Sequence, residues 1–221
     1  MNYWTERFSR AEPALAPFRP FTSVDIDFLG SREDVSRIAR QLGVHGERVS
    51  HPLDITALSG VVPFQVEQVK VEIEIVREVL GLDRVKLQQS AVHARWSNLE
   101  IRVLDPVSLL YSKVKLALLV SQKERRDVDH MKILVYCVRA FLREALDFAN
   151  QNSTLARGWL GATEKTLALT ESSTGTRLAK RFAVNWAEIL PLKEIRESQL
   201  PKIIQFREKR LPTWEQKLSR K

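Results

Sequence analysis

Two carboxylates set two residues apart inside an apolar run constrain this chain more than any other feature. The run is Thr22-Ser23-Val24-Asp25-Ile26-Asp27-Phe28-Leu29. Strand alternation puts Asp25 and Asp27 on one face and Val24, Ile26 and Phe28 on the other. Like charges held that close repel, so a fold that keeps both commonly sets a cation between them. Two carboxylates completed by water suit Mg²⁺, which takes hard oxygen ligands. The competing reading is an edge strand with a solvated acidic face, and the D-x-D spacing alone does not separate the two.

A second acidic strand follows. Val69-Lys70-Val71-Glu72-Ile73-Glu74-Ile75-Val76 alternates strictly, with Val69, Val71, Ile73 and Ile75 on one side and Lys70, Glu72 and Glu74 on the other. Beside the first strand it would lend a third carboxylate; alone it reads as a half-exposed strand. Between the two, Gly30-Ser31 ends the first strand, and Ser31 or Arg32 opens a helix through Leu42. Glu33 and Asp34 stand in its first turn and Gly43 is its C-cap. Upstream, Tyr3, Trp4 and Phe8 are spaced as on a helix, and three prolines among residues 13 to 20 make a tethering loop. The stretch Ile55–Phe64 is too broken by Gly60 and Pro63 for a helix. Short strands are expected around Val85–Val92 and Leu99–Val103.

Pro106 marks a change of class. It suits the first turn of a helix running to about Val120, with Leu109, Leu110, Val114, Ala117 and Leu118 as an apolar face and Lys113 near one edge. Asp127 begins a long helix to about Asn150, with Met131, Leu134, Val135, Val138, Phe141, Leu142 and Leu146 at helical spacing. Asn152-Ser153 caps another helix, to about Leu169. Ser172 to Gly175 reads as a turn, followed by a helix from about Thr176 to Leu190. Pro191, Pro201 and Pro212 punctuate a helical tail. The expectation is an α+β protein: a mixed-sheet core over residues 1–105 and a helical region over 106–221.

Of the 221 residues, 44% are hydrophobic and 28% charged, the balance of an ordinary globular chain. No apolar run approaches the roughly 20 residues that span a bilayer, which argues against a membrane partner. Residues 1–10 have no signal-peptide core. The single cysteine, Cys137, forms no internal disulfide and reads as a small buried hydrophobe, which fits a cytoplasmic location. The net charge of +8 is segregated. Residues 151–221 hold 14 Lys+Arg against 7 Asp+Glu, whereas the first 150 hold 21 against 20. Such a segment favours a polyanion such as RNA, or an acidic partner, over a basic surface without a ligand. Arg207, Lys209 and Arg210 are the cations expected to meet phosphate.

In order, the chain carries a helix, a Pro-rich loop, Thr-Ser-x-Asp-Ile-Asp-Phe-Leu-Gly, a helix, an acidic strand leading to Val79-Leu80-Gly81-Leu82, then D-P-x-x-L-L-x-x-K and R-R-D-x-x-H. From Met1 to about Leu146 this resembles the minimal nucleotidyltransferases of the AbiEii-type toxin family, in the polymerase-beta-like superfamily. The resemblance implies a nucleotidyltransferase-like sheet and metal-binding acids at Asp25 and Asp27. A third acid falls on Glu74, where most relatives have Asp. It also implies nucleotide contacts from Ser23, Lys113 and Asp127, with Lys113 a point cation for phosphate. Lys113 also fits as an exposed lysine at a helix edge, and Asp127 as a charge complementing a helix N-terminus.

The implied reaction is transfer of a nucleoside monophosphate from a nucleoside triphosphate (NTP) to a hydroxyl acceptor, with Mg²⁺ as cofactor. The family's toxins modify transfer RNA and pair with an antitoxin, so tRNA or another RNA and a cognate antitoxin are the implied partners. The family also opens with a strand and a Gly-Gly or Gly-Ser turn whose N–H groups hold phosphate. Here the helix that should follow that turn is already at Met1. The expectation is either a start site further upstream or a truncated protein with weakened catalysis. The alternative is a catalytically degenerate fold that binds nucleic acid or a protein partner. A purely structural helical adaptor fits the last 115 residues but leaves the Asp25–Asp27 strand unexplained.

Overall fold

A computed structural model describes residues 1–21, 25–48, 57–96, 98–121, 123 and 126–219. Ser23 lies outside the described residues, as does the side chain of Asp25. The chain is α+β, as its alternating and helical patterns predict. It forms two compact units, residues 20–90 and residues 1–19 with 91–221. This division differs from the expected boundary at residue 105. The N-terminal helix and the 91–104 hairpin belong with the helices that follow.

Elements are numbered in chain order. The larger unit begins with α1 (Asn2–Phe8) and a 3-10 turn over Pro13–Phe18, where the proline-rich segment was expected to be a loop. The smaller unit holds β1 (Asp25–Leu29), α2 (Arg32–Leu42), β2 (Glu47–Arg48), β3 (Leu58–Val66), β4 (Val69–Val76) and α3 (Arg84–Ser90). Its sheet has the order β1-β4-β3-β2, with β1 parallel to β4 and the other pairs antiparallel. Ser31 and Asp34 form a capping box at the start of α2, and Gly43 closes it in the left-handed conformation. Val35 and Ala39 of α2 bury against Val62, Ile73 and Ile75 on one sheet face. That contact consumes the apolar side of β4 and leaves its acidic side on the opposite face. Pro63 is tolerated because β2 pairs only with Gly60 and Val61, so β3 has become an edge where the proline stands. Arg84–Ser90 is helical, where a strand from Val85 was expected. Its run Leu87-Gln88-Gln89 has no period-2 alternation to hold a strand.

The larger unit continues with the hairpin β5 (Ala91–Trp96) and β6 (Leu99–Leu104), then α4 (Pro106–Leu119) and α5 (Asp127–Gln151). After them come α6 (Ala156–Glu171), α7 (Ser173–Phe182), α8 (Leu192–Glu197), α9 (Pro201–Gln205) and α10 (Leu211–Ser219). Asp105 caps α4 by accepting from the Ser108 N–H, and Pro106 takes the first turn as expected. Met131, Leu134, Cys137, Val138, Leu142 and Leu146 of α5 are fully buried. Burial pushes the Cys137 thiol up to about 12, which leaves it an inert apolar group. The indole N–H of Trp4 donates to the Leu104 carbonyl at 2.7 Å, which ties α1 to the end of β6. Trp159 likewise donates to Leu142, Trp186 to Gly175 and Trp214 to Thr170, each at 2.9 Å. Each buried ring therefore keeps its one polar atom satisfied. No helix among the described residues is long and apolar enough to cross a membrane.

Two stretches of the tail depart from expectation. Ser172 is an N-cap rather than the start of a turn, so α7 begins three residues early. It also ends at Phe182, where Ala183 adopts a left-handed conformation with φ of 53°. Pro212 does not interrupt the last helix. A π-helical segment over Phe206–Arg210 precedes it, and widening the backbone there relieves the clash between a proline ring and the preceding turn.

The corner between α6 and α7 yields a stability test. A Cβ at Gly175 would stand 2.3 Å from the Leu169 carbonyl oxygen and 2.7 Å from that of Thr170, whereas one at Gly161 meets nothing. Gly175→Ala should cost about 2 kcal/mol through overpacking against rigid backbone. Gly161→Ala should add about 0.5–1 kcal/mol through helix propensity. Urea unfolding midpoints at unchanged slope measure both, and equal shifts would contradict the packing at this corner.

Candidate functional site

The parallel register of β1 and β4 sets Asp27 beside Glu74 and position 25 beside Glu72. Neighbours in a parallel pair share a face, so Asp27, Glu72 and Glu74 stand together opposite the α2 side. Asp27 and Glu72 are exposed and Glu74 is half-buried. The expected convergence of Asp27 and Glu74 on one face is what the register delivers. Glu72, which the alternation put on the same side as Glu74 but which the site assignment did not include, joins them.

Among the described residues no three His, Cys, Asp or Glu side chains gather as a metal-binding group. Mg²⁺ does not require one. It is commonly held by one or two carboxylates and completed by water and phosphate oxygens. The donor chemistry of Asp27 and Glu74, hard oxygens on adjacent strands, fits that ion.

Lys113 and Asp127 form a second pair, in the larger unit. Lys113 Nζ lies 3.0 Å from Asp127 Oδ1, at the point where α4 packs along the start of α5. Asp127 is 2% exposed and the Lys113 side chain 23%. Both residues were expected to contact nucleotide; the structure joins them to each other. His130 stands one turn on from Asp127. Burial holds its pKa below the ordinary histidine value, and the Lys113 ammonium adds to the effect. Sequence reasoning gave His130 no role, although the D-x-x-H spacing puts it on the Asp127 side of α5.

A third cluster was not foreseen. Glu12, 3% exposed, accepts from Arg139 at 2.7 and 3.0 Å and from Arg143 at 2.6 Å. Arg139 also pairs with Glu188, and Arg143 with Glu194 at 3.7 Å. A cleft of about 310 Å³ opens beside these residues, with Lys193 on its wall. Three Glu face two Arg and one Lys across it, so the charges cancel and select no class of ligand. The cluster instead fixes the segment after α1 to α5. The lone acid of a proline-rich segment carries no motif signal, so only the fold shows its partners.

The basic tail is less available than its charge count implies. Arg210 is held by Glu164 and Glu171, Lys217 by Glu171, and Arg196 by Glu215. Arg207 donates to the Arg196 carbonyl at 2.5 Å. Of the three cations expected to meet phosphate, only Lys209 has no such partner among the described residues.

No known protein family, curated protein or solved structure matches this chain.

Two expected outcomes test these assignments. Lys113→Met leaves a buried carboxylate short of its cation and should cost about 3 kcal/mol. The double change Lys113→Met with Asp127→Leu should lie closer to wild type than that single change, as read from urea unfolding in a double-mutant cycle. A neutral Lys113→Met would remove the ion pair from the structural account. Glu12 supplies a pH test. Burial alone would raise its pKa, but Arg139 and Arg143 outweigh it and hold the carboxyl below the usual range. A depressed folded pKa gives stability that is complete above the unfolded value of about 4.3 and is lost as pH falls through the folded value. Glu12→Gln should therefore be less stable at neutral pH and flatter in stability across the acid range. A variant that retains the wild-type acid slope would overturn this assignment.

Proposed function

We propose that the acidic face formed by β1 and β4 supports nucleotidyl transfer: a nucleoside monophosphate passes from an NTP to a hydroxyl acceptor. The observation that carries this reading is the parallel register that places Asp27 beside Glu74. Two carboxylates from separate strands, on a face not taken by α2, make a rigid and solvent-reachable oxygen platform.

In this reading Asp25 and Asp27 hold the cation and Glu74 completes the group. Bound there, Mg²⁺ would neutralise charge on the triphosphate and on the departing pyrophosphate. The chain's own groups do the rest. Asp27 and Glu74, fixed on adjacent paired strands, would hold the ion and so orient the reacting phosphate. A carboxylate oxygen of Glu74 accepts the proton of the acceptor hydroxyl as its oxygen bonds to the α-phosphorus. The bond from the α-phosphorus to the bridging oxygen breaks, and pyrophosphate leaves with that electron pair. Rigid placement is what two paired strands contribute, since near-attack alignment is worth several kcal/mol of barrier.

A second reading is favoured by the Lys113–Asp127 pair. Lys113 is the phosphate cation that the family resemblance implies, and here its charge is directed at a buried aspartate. If that pair is only structural, the chain is a nucleotidyltransferase-like sheet without transfer activity, joined to a helical unit that binds a polyanion or a protein.

The test is incorporation of label from each of the four NTPs with Mg²⁺ and total RNA. Asp27→Asn should lower the rate about 100-fold, the effect of losing roughly 3 kcal/mol of charge stabilisation. Glu74→Gln should do the same, and Glu74→Asp should retain part of the activity. Full activity in Asp27→Asn would end the metal-site reading. No incorporation by the wild type with any nucleotide would leave the binding reading.

A further inference from the structure

We propose that the exposed face of α7 binds the phosphate backbone of RNA without regard to base sequence. This locates the polyanion site in one helix, away from the Arg207–Arg210 stretch. It supplies an acceptor class for the transfer reaction above, and only that link rests on the reaction.

Helical spacing puts Ser173, Thr174, Arg177, Lys180 and Arg181 on one side of α7. The three cations are exposed, while Gly175 and Leu178 on the other side are buried. Arg181 lies over the Phe182 ring at 5.0 Å from its centroid, an arrangement that steadies the guanidinium. Among the described residues none of the three cations has an ion pair.

The reason lies in the two helices packed against α7, namely α4 and α6. α4 contains no acidic residue at all. α6 contains two, Glu164 and Glu171, and both are held by Arg210, with Lys217 also on Glu171. The holding is strong enough to keep the Glu171 carboxyl below the usual range, chiefly through the Arg210 hydrogen bond. The two acids of α6 are thus already paired with Arg210 and Lys217. α7 itself has no acid. Placing Lys180 and Arg181 in the last turn of a helix is favourable in any protein. Arg177, one turn earlier, gains nothing from that effect, and it extends the positive line along the helix.

Backbone phosphates are the ligand this line fits. They are contacted by Arg, Lys and hydroxyl side chains in a row, and such contacts carry no base specificity. Arg177, Lys180 and Arg181 are all exposed and lie in a row along the helix, an arrangement suited to successive phosphates of a strand.

The experiment is binding of a fluorescent single-stranded RNA to the full chain by anisotropy, without NTP or Mg²⁺, across a salt series. Replacing Arg177, Lys180 and Arg181 with Ala should lower the slope of log affinity against log salt by about 2, as expected for three phosphates on a single strand. The triple variant should bind about 100-fold more weakly near 0.1 M salt and approach wild type toward 1 M. The comparison variant Arg196→Ala with Lys217→Ala removes two cations that are already paired, and should retain the wild-type slope. Thermal melts should leave both variants folded, since all the changed side chains are exposed. The proposal is overturned if the triple variant retains the wild-type slope or if the paired-cation variant weakens binding as much. It is also overturned if phosphatidylserine vesicles or polyglutamate compete for α7 better than RNA does. Because no nucleotide is present, RNA binding through α7 with no NTP incorporation would refute the transfer reading alone. Incorporation without any RNA binding would refute this one alone.

Discussion

Burial of α5 is the interaction on which the larger unit depends. Its 25 residues present apolar side chains to α1, α4, α6 and the 3-10 turns at Pro13–Phe18, Ser153–Leu155 and Trp186–Ile189, and seven of them are fully buried. At about 25 cal/mol per Å² of apolar surface, such a helix supplies much of the unit's favourable free energy. It also sets where charge can sit. Arg139 and Arg143 emerge from α5 beside the segment after α1, and Glu12 must be buried to meet them. Asp127 opens the same helix and is buried where α4 passes, so Lys113 is drawn to it. Both ionic clusters follow from the placement of one apolar cylinder.

In the smaller unit the corresponding constraint is the pairing of β1 with β4. A parallel pair puts register neighbours on one face, and a slip of one residue would send Glu74 to the α2 side. That slip is opposed by the packing of Ile73 and Ile75 under Val35 and Ala39. The position of the acids is therefore fixed by apolar residues that play no part in the chemistry proposed for them.

Charge in the helical tail shows how packing changes the meaning of composition. The surplus of cations over acids in residues 151–221 is real, but formal charge counts paired and unpaired groups alike. Arg210 and Lys217 hold Glu164 and Glu171, and among the described residues no carboxylate pairs with Arg177, Lys180 or Arg181 of α7. Local structure had a part in this. Ser172 caps α7 and Ala183 ends it, so Arg177, Lys180 and Arg181 fall on one helical side.

The sequence by itself determined the elements whose periodicity is strong. The alternation in Val69–Val76, the Gly43 cap of α2, Pro106 at the head of α4 and the apolar spacing of α5 each act within a few residues, through backbone sterics and local burial. For the same reason Asp27 could be picked out as a candidate before any fold was known, whereas Glu74 was singled out from Glu72 only by the family resemblance. Where local signals are weak they misled: Arg84–Ser90 was expected as a strand, and the end of α7 was placed too late. Tertiary structure alone decided which side chains meet. Glu12 and Arg139 are 127 positions apart, and nothing in a sequence encodes that distance except the way the helices pack. The Lys113–Asp127 pair, the commitment of Arg210 and the exposure of Arg177 are decided in the same way. Ion pairing is a matter of a few ångströms in space, and it is settled only after apolar surfaces have chosen their partners.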